Sequence, residues 1–278
     1  MYRILEKREL ATNTKLLKVS APTIAEKAQA GQFVIVRVDE KGERIPLTLV
    51  DWSRKEGTIT LIFLEVGVST RKLGKLNEGD AISDIAGPLG CPSEIKKYGK
   101  VCVVGGGVGI AAAYPIARAL KELGNEVVSI IGAKTSGLLI LEKEMVKVSD
   151  ELHISTDDGS RGYKGFVSDL LKVLMEKGYN FTLVYAVGPS LMMRAVAETT
   201  RPYKIKTIVN LNPIMVDGMG MCGACRVSVG GKTRFACIDG PEFDAHQVDF
   251  GELIKRQTFF LSEEKTALEN WESKGCCK

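Results

Sequence analysis

From Tyr2 to about Gly99, apolar residues alternate with polar ones or run together over five to seven positions. Tyr2-Arg-Ile-Leu-Glu-Lys, Lys15-Leu-Leu-Lys-Val-Ser, Gln32-Phe-Val-Ile-Val-Arg-Val and Thr58-Ile-Thr-Leu-Ile-Phe-Leu carry the pattern, with Gly, Asp and Lys turns between them. A period of two with such punctuation predicts strands, and several short strands in series predict a small antiparallel β-barrel over residues 1–98. After Ile85-Ala-Gly-Pro-Leu-Gly-Cys-Pro92 the texture changes. Lys100-Val-Cys-Val-Val is a buried strand running into glycines and then the helical Ala111-Ala-Ala-Tyr-Pro-Ile-Ala, and Glu126-Val-Val-Ser-Ile-Ile-Gly is a second strand. His153-Ile-Ser-Thr is a further strand. Val167-Ser-Asp-Leu-Leu-Lys-Val-Leu-Met-Glu-Lys is an amphipathic helix, and Phe181-Thr-Leu-Val-Tyr-Ala-Val is a strand that stops at Gly188-Pro189. Residues 99–210 therefore predict an α/β nucleotide-binding domain with a parallel sheet, and residues 211–278 a small C-terminal segment.

With 278 residues and 45% hydrophobic content, the chain is long enough for two cores and an appendix. Its 38 basic and 34 acidic side chains are scattered, without a basic stripe, which argues against a nucleic-acid partner. No apolar run reaches the length of about 18 residues that a membrane helix needs, and Met1-Tyr-Arg-Ile-Leu-Glu-Lys-Arg-Glu lacks the apolar core of a signal peptide. The expectation is a cytoplasmic protein with no membrane partner. Disulfides rarely persist there, so the seven cysteines need another role. Cys102 lies in a buried strand and reads as a core residue, whereas Cys91, after a Gly-Pro-Leu-Gly turn, is either buried or near a ligand. The other five lie beyond position 220, with Cys276 and Cys277 in a terminal Lys-Gly-Cys-Cys-Lys that reads as a frayed tail.

Cys222, Cys225 and Cys237 share a Gly-rich loop, and Asp217 stands five residues before the first of them. The spacing Asp-x4-Cys-x2-Cys-x11-Cys matches the plant-type spacing of [2Fe-2S] proteins, with Asp in the first cysteine's place. Asp217, Cys222, Cys225 and Cys237 are thus the expected ligands, and Gly218, Gly220 and Gly223 would let the backbone wrap the cluster. Free thiols are one alternative and structural zinc is the other. It ordinarily asks for two C-x2-C pairs or a Cys/His pair, and His246 is nine residues past Cys237 with Pro241 between.

Two places in the barrel region suit a pyrophosphate. Arg44-Ile-Pro-Leu-Thr48 sets a guanidinium and a hydroxyl on a strand, and Gly67-Val-Ser-Thr70 sets glycine and hydroxyls where a helix begins. Singly, each also reads as a strand-end Arg or a helix cap. Gly105-Gly-Gly-Val-Gly109 opens the first helix of the α/β domain without being the G-x-G-x-x-G fingerprint. Ligands of open α/β sheets lie at the carboxyl ends of strands. The candidate nucleotide residues are therefore Gly105, Gly106, Gly107, Gly109 and Ile110, then Ala133 and Lys134, then Asp157 and Asp158, then Gly188, Pro189 and Met192.

The order of these parts, with Gly87-Pro-Leu-Gly90 between barrel and α/β domain, resembles the ferredoxin-NADP reductase superfamily. More narrowly it is similar to electron-transfer subunits of type B dihydroorotate dehydrogenase and to the small subunit of NADH-dependent reduced ferredoxin:NADP oxidoreductase. The resemblance implies FAD on the barrel, NAD(H) in the crevice and a [2Fe-2S] cluster near the C-terminus. By motif, Arg44, Pro46, Leu47, Thr48 and Gly87 would meet FAD, with Thr48 near the reactive edge, and Gly67, Ser69 and Thr70 would hold its pyrophosphate. It also implies an oxidoreductase without a catalytic acid or base, in a heterodimer with a larger iron-sulfur flavoprotein subunit that couples NADPH with ferredoxin by electron bifurcation. Two departures stand out. The superfamily's Arg-x-aromatic-Ser/Thr is one residue shorter and has an aromatic where Leu47 stands, and dihydroorotate-type subunits have Cys at the place of Asp217. Lys134 leaves NADP(H) open beside NAD(H). The other readings are a dihydroorotate dehydrogenase B subunit and a metal-stabilised, nucleotide-sensing regulator without redox turnover.

Overall fold

The period-two segments form strands as expected in the computed structural model, which describes residues 1–275; Cys276 and Cys277 lie outside the described residues. The barrel region contains β1 (Tyr2–Ala11), β2 (Thr14–Ser20), α1 (Pro22–Lys27), β3 (Phe33–Arg37), β4 (Arg44–Ser53), β5 (Thr58–Leu64), α2 (Val68–Lys75), β6 (Ala81–Ile82) and β7 (Asp84–Leu89). Its antiparallel sheet runs in the order β6-β1-β2-β5-β4-β3-β7. Alternation decides what faces the interior. Val34 and Val36 of β3 join Leu17, Leu49 and Leu61 in the barrel core, while Phe33 and Ile35 point outward into a different core.

The α/β region contains β8 (Lys100–Gly106), α3 (Ile110–Glu122), β9 (Glu126–Ala133), α4 (Glu142–Lys147), β10 (Glu151–Thr156), β11 (Tyr163–Lys164), α5 (Val167–Glu176), β12 (Leu183–Val187), α6 (Ser190–Thr200) and β13 (Lys206–Asn210). The C-terminal segment adds β14 (Arg226–Val229), β15 (Lys232–Phe235), α7 (Ala236–Asp239), β16 (Glu242–Asp244), α8 (Phe250–Gln257) and α9 (Leu261–Gly275). The second sheet runs β11-β10-β9-β8-β12-β13-β16, parallel except for β16. From β8 the chain moves outward through β9 and β10, then returns to the other side of β8 with β12 and β13. The strand order therefore reverses between β8 and β12.

Residues 211–275 are not a separate appendix. β16 completes the edge of the α/β sheet against β13, and Cys225, Val227, Ala236 and Cys237 share a core with Phe33 and Ile35 of the barrel and Val104 of β8. A second shared core joins Ile110, Ala111 and Ala113 of α3 to Leu16, Val50 and Ile62 of the barrel. Among the described residues, no helix is long and apolar enough to cross a membrane.

Candidate functional site

In an open parallel sheet, the crevice forms at the carboxyl ends of the two strands where the order reverses. Here those ends are Gly106 of β8 and Val187 of β12. Their turns interlock: a Cβ on Gly109 would lie 2.5 Å from the Val187 carbonyl oxygen and 2.7 Å from Gly188 Cα. One on Gly106 would lie 2.2 Å from Met192 Sδ. At Gly109 only hydrogen fits, and the first turn of α3 is thereby aimed along the crevice with its free N–H groups and positive dipole end. The rim continues over the neighbouring strand ends. The Ala133 and Lys134 carbonyls accept from the Asp157 and Asp158 N–H groups at 3.2 and 3.3 Å. Lys134, Asp157 and Asp158 are exposed, and Asp158 already accepts from the Ser160 hydroxyl at 2.7 Å, which lowers its pKa. The structure thus brings together along one edge all four strand ends named from the sequence.

On the barrel, β3 and β4 pair Phe33 with Thr48, Ile35 with Pro46 and Arg37 with Arg44. Residues directly opposite share a face, so Arg44, Pro46 and Thr48 stand on the outer face with Phe33 and Ile35. Leu47 does not join them. It pairs with Val34 and is buried in the barrel core, so its side chain is structural and only its backbone remains available to a ligand. The strand's period of two thus confines the expectation for Leu47 to its backbone. The ladder from β4 to β5 begins at Leu49, which leaves the other backbone edge of residues 44–48 unpaired. An outer face flanked by free N–H and C=O groups suits a flat, hydrogen-bonding ring system.

At the start of α2, Thr70 Oγ1 accepts from the Val66 and Gly67 N–H groups at 3.0 and 3.1 Å. Ser69 Oγ donates to Glu43 at 2.6 Å. Both hydroxyls are therefore engaged in shaping the turn, and the space over Gly67 is open. Gly87 is packed tightly, since a Cβ there would lie 2.7 Å from Val34 Cγ1. Its place is against the barrel wall, behind the outer face.

The cysteine loop separates its donors into two pairs. Cys225 and Cys237 are buried with their sulfurs 3.2 Å apart. Burial, and then the Cys225 neighbour, pushes the Cys237 thiol up to about 12. A bound cation would favour the Cys237 thiolate over the thiol. Asp217 and Cys222 make the second pair. Asp217 Oδ1 accepts from the Met219 N–H at 2.9 Å, and Oδ2 from those of Met221 and Cys222 at 3.0 and 2.7 Å. These backbone donors, Met219 foremost, hold the carboxyl below its usual range, so it is an anion at neutral pH. A [2Fe-2S] centre takes two ligands on each iron. His246, the nearby histidine, is bonded to Thr200 at 3.1 Å. Two pairs fit a two-iron cluster better than a single zinc ion.

The loop is seated on the outer face of β3. A Cβ on Gly218 would lie 2.5 Å from Ile35 Cγ1 and 3.0 Å from Leu89 Cδ1, and Ile35 is the cross-strand neighbour of Pro46. Cys91, exposed, also adjoins this segment: its N–H donates to Gly240 O at 2.7 Å and its thiol to Ile238 O at 3.1 Å. Sequence reasoning had not named Arg37, Ile35 or Leu89, although the alternation in β3 carried the signal for the first two.

Comparison with known proteins matches this layout part by part. The oxidoreductase NAD-binding domain family matches residues 103–198, and the iron-sulfur cluster binding domain of dihydroorotate dehydrogenase B matches residues 212–249. A Thermotoga maritima protein named dihydroorotate dehydrogenase B (NAD(+)) electron transfer subunit homolog is 46% identical over 98% of this chain and 95% of its own. The electron transfer subunit of Bacillus caldolyticus is 35% identical over 88% and 96%. A solved structure reported for flavin-based electron bifurcation by NADH-dependent reduced ferredoxin-NADP oxidoreductase is 45% identical, covers 98% of both chains and superposes with a TM-score of 0.93. The chain therefore belongs to the family of dihydroorotate dehydrogenase B-type electron transfer subunits, oxidoreductase proteins with a ferredoxin reductase-like fold, an NAD-binding domain and an iron-sulfur cluster binding domain.

Proposed function

We propose that the chain is the small electron-transfer subunit of an NADH-dependent reduced ferredoxin:NADP oxidoreductase, passing electrons between NAD(H), FAD and a [2Fe-2S] cluster to a larger flavoprotein subunit. The observation that carries this reading is the shared position of β3 and β4. Their outer face bears Arg44, Pro46 and Thr48, α3 packs on β4 from the nucleotide side, and Gly218 of the cluster loop packs on Ile35. On this reading the three sites meet on one pair of strands. When bound, a flavin converts a two-electron hydride into single electrons that an iron-sulfur cluster can take.

The chain's own residues position and exclude. The interlocked glycine turns offer backbone N–H groups to nucleotide phosphates. Arg118 ties the two halves together, bonded to Asp51 at 2.6 Å and lying over the Trp52 and Tyr114 rings. Asp217 and the three cysteines would hold the cluster, and Met219, Met221 and Ile238 form an exposed apolar rim beside it. Such a rim suits a protein partner at the electron exit.

The 46% and 35% identities to dihydroorotate-type subunits support a second reading, in which the larger partner oxidises dihydroorotate. The chain that copurifies with this one separates the two. A partner reducing NADP+ with ferredoxin supports the first, and one oxidising dihydroorotate overturns it. The cytoplasm is the compartment proposed, tested by fractionation of cells.

A further inference from the structure

β3 presents one charged residue on its outer face, Arg37, and its setting is unusual. The register places it directly opposite Arg44, so two arginines leave neighbouring strands from one cross-strand pair. Like charges so placed repel. Neither forms an ion pair among the described residues. Asp84 faces Arg37 from β7 in register without pairing with it. Arg37 Nε is moreover buried without a hydrogen-bond partner, and it is the lone buried side-chain nitrogen or oxygen so placed among the described residues. A guanidinium cannot shed its proton to relieve this. Something anionic with several acceptor oxygens would satisfy Nε and relieve the repulsion together.

The neighbourhood indicates which anion. Lys72 of α2 bonds to Asp39 at 3.0 Å, two residues beyond Arg37, and Ser69 bonds to Glu43, one residue before Arg44. The first turn of α2 is thereby held against the hairpin that carries both arginines. We propose that Arg37 is a phosphate-binding residue of the flavin site, forming with Arg44 a two-guanidinium clamp on the pyrophosphate of FAD. This rests on the flavin reading above. The clamp explains why two arginines are tolerated in one cross-strand pair, and it makes the dinucleotide form of the flavin the preferred ligand.

The test is titration of flavin-free protein with FAD and with riboflavin, which lacks phosphate, read by quenching of flavin fluorescence. Arg37→Gln is expected to weaken FAD binding about tenfold or more, the loss of one charge-assisted hydrogen-bonding group, and to leave riboflavin binding unchanged. Arg37→Lys is expected to recover part of the FAD affinity. Melting of the flavin-free Arg37→Gln protein should be unchanged or higher, because an unpaired buried donor is removed. Equal FAD affinity in wild type and Arg37→Gln overturns the proposal, as does equal weakening of FAD and riboflavin. A fall in melting temperature shared by Arg37→Gln and Asp84→Asn would instead make Arg37 a structural partner of Asp84. Wild-type protein that binds neither flavin would overturn the flavin reading itself, a result distinct from all of these.

Discussion

Asp217 acts through both ends of its carboxylate, drawing in three N–H groups of its own loop while standing beside Cys222. A carboxylate is a harder ligand than a thiolate, so Asp217→Cys should shift the cluster's reduction potential while a cluster still assembles. Redox titration followed by EPR checks this, and an unchanged potential and spectrum would remove Asp217 from the ligand set. Gly218 is fixed by conformation as well as space, with φ +73° and the Ile35 side chain against it. Gly218→Ala should destabilise the protein by about 1–3 kcal/mol and lower its iron content, read by thermal melting and iron assay. At this scale the sequence was informative where chemistry is local. The Asp-x4-Cys-x2-Cys spacing could be read without coordinates, whereas Arg37 drew notice only once the register put it opposite Arg44. Leu47 shows the same effect, since a motif treats neighbours alike and a strand sends them to opposite faces.

Among the elements, the turns after β8 and β12 set the nucleotide crevice. Gly109→Ala forces a methyl against the backbone of Val187 and Gly188, which cannot move aside without opening the strand ends. We expect about 1–3 kcal/mol of destabilisation and weaker NADH binding, measured by melting and by NADH titration. Gly106→Ala meets the end of a flexible Met192 instead and should be milder. The main strands and α5 were legible because they are long and periodic: Thr58–Leu64 and Val167–Glu176 stand nearly as the pattern placed them. β16 was not. Its three residues carry no period, and it exists because β13 offers an unpaired edge. α1 and α9 were likewise unforeseen, the first being short and the second largely exposed.

Across the whole molecule, stability and function meet at contacts between regions. Glu242 of β16 accepts from the Ser93 hydroxyl of the interdomain linker and from the Tyr185 hydroxyl of β12. Burial raises its pKa, and the two hydroxyls only partly offset this. The folded state therefore holds a proton that the unfolded state releases, and stability falls as pH rises from the ordinary glutamate range through the raised value. Glu242→Gln should flatten that part of the melting-temperature profile and raise stability above it; a profile identical to wild type would contradict the assignment. Arg118, between α3 and β4, is a smaller tie. Arg118→Ala should lose about 0.5–2 kcal/mol from its ion pair and ring contacts. Both contacts join regions, Arg118 linking α3 to β4 and Glu242 linking the C-terminal segment to the linker and β12. That continuity is the central claim, and anaerobic titration of the purified protein with NADH, followed by visible absorbance and EPR, tests it most directly. The account predicts that NADH bleaches a flavin band and brings up the signal of a reduced [2Fe-2S] cluster in the same sample; NADH that binds without bleaching flavin or reducing a cluster would contradict it.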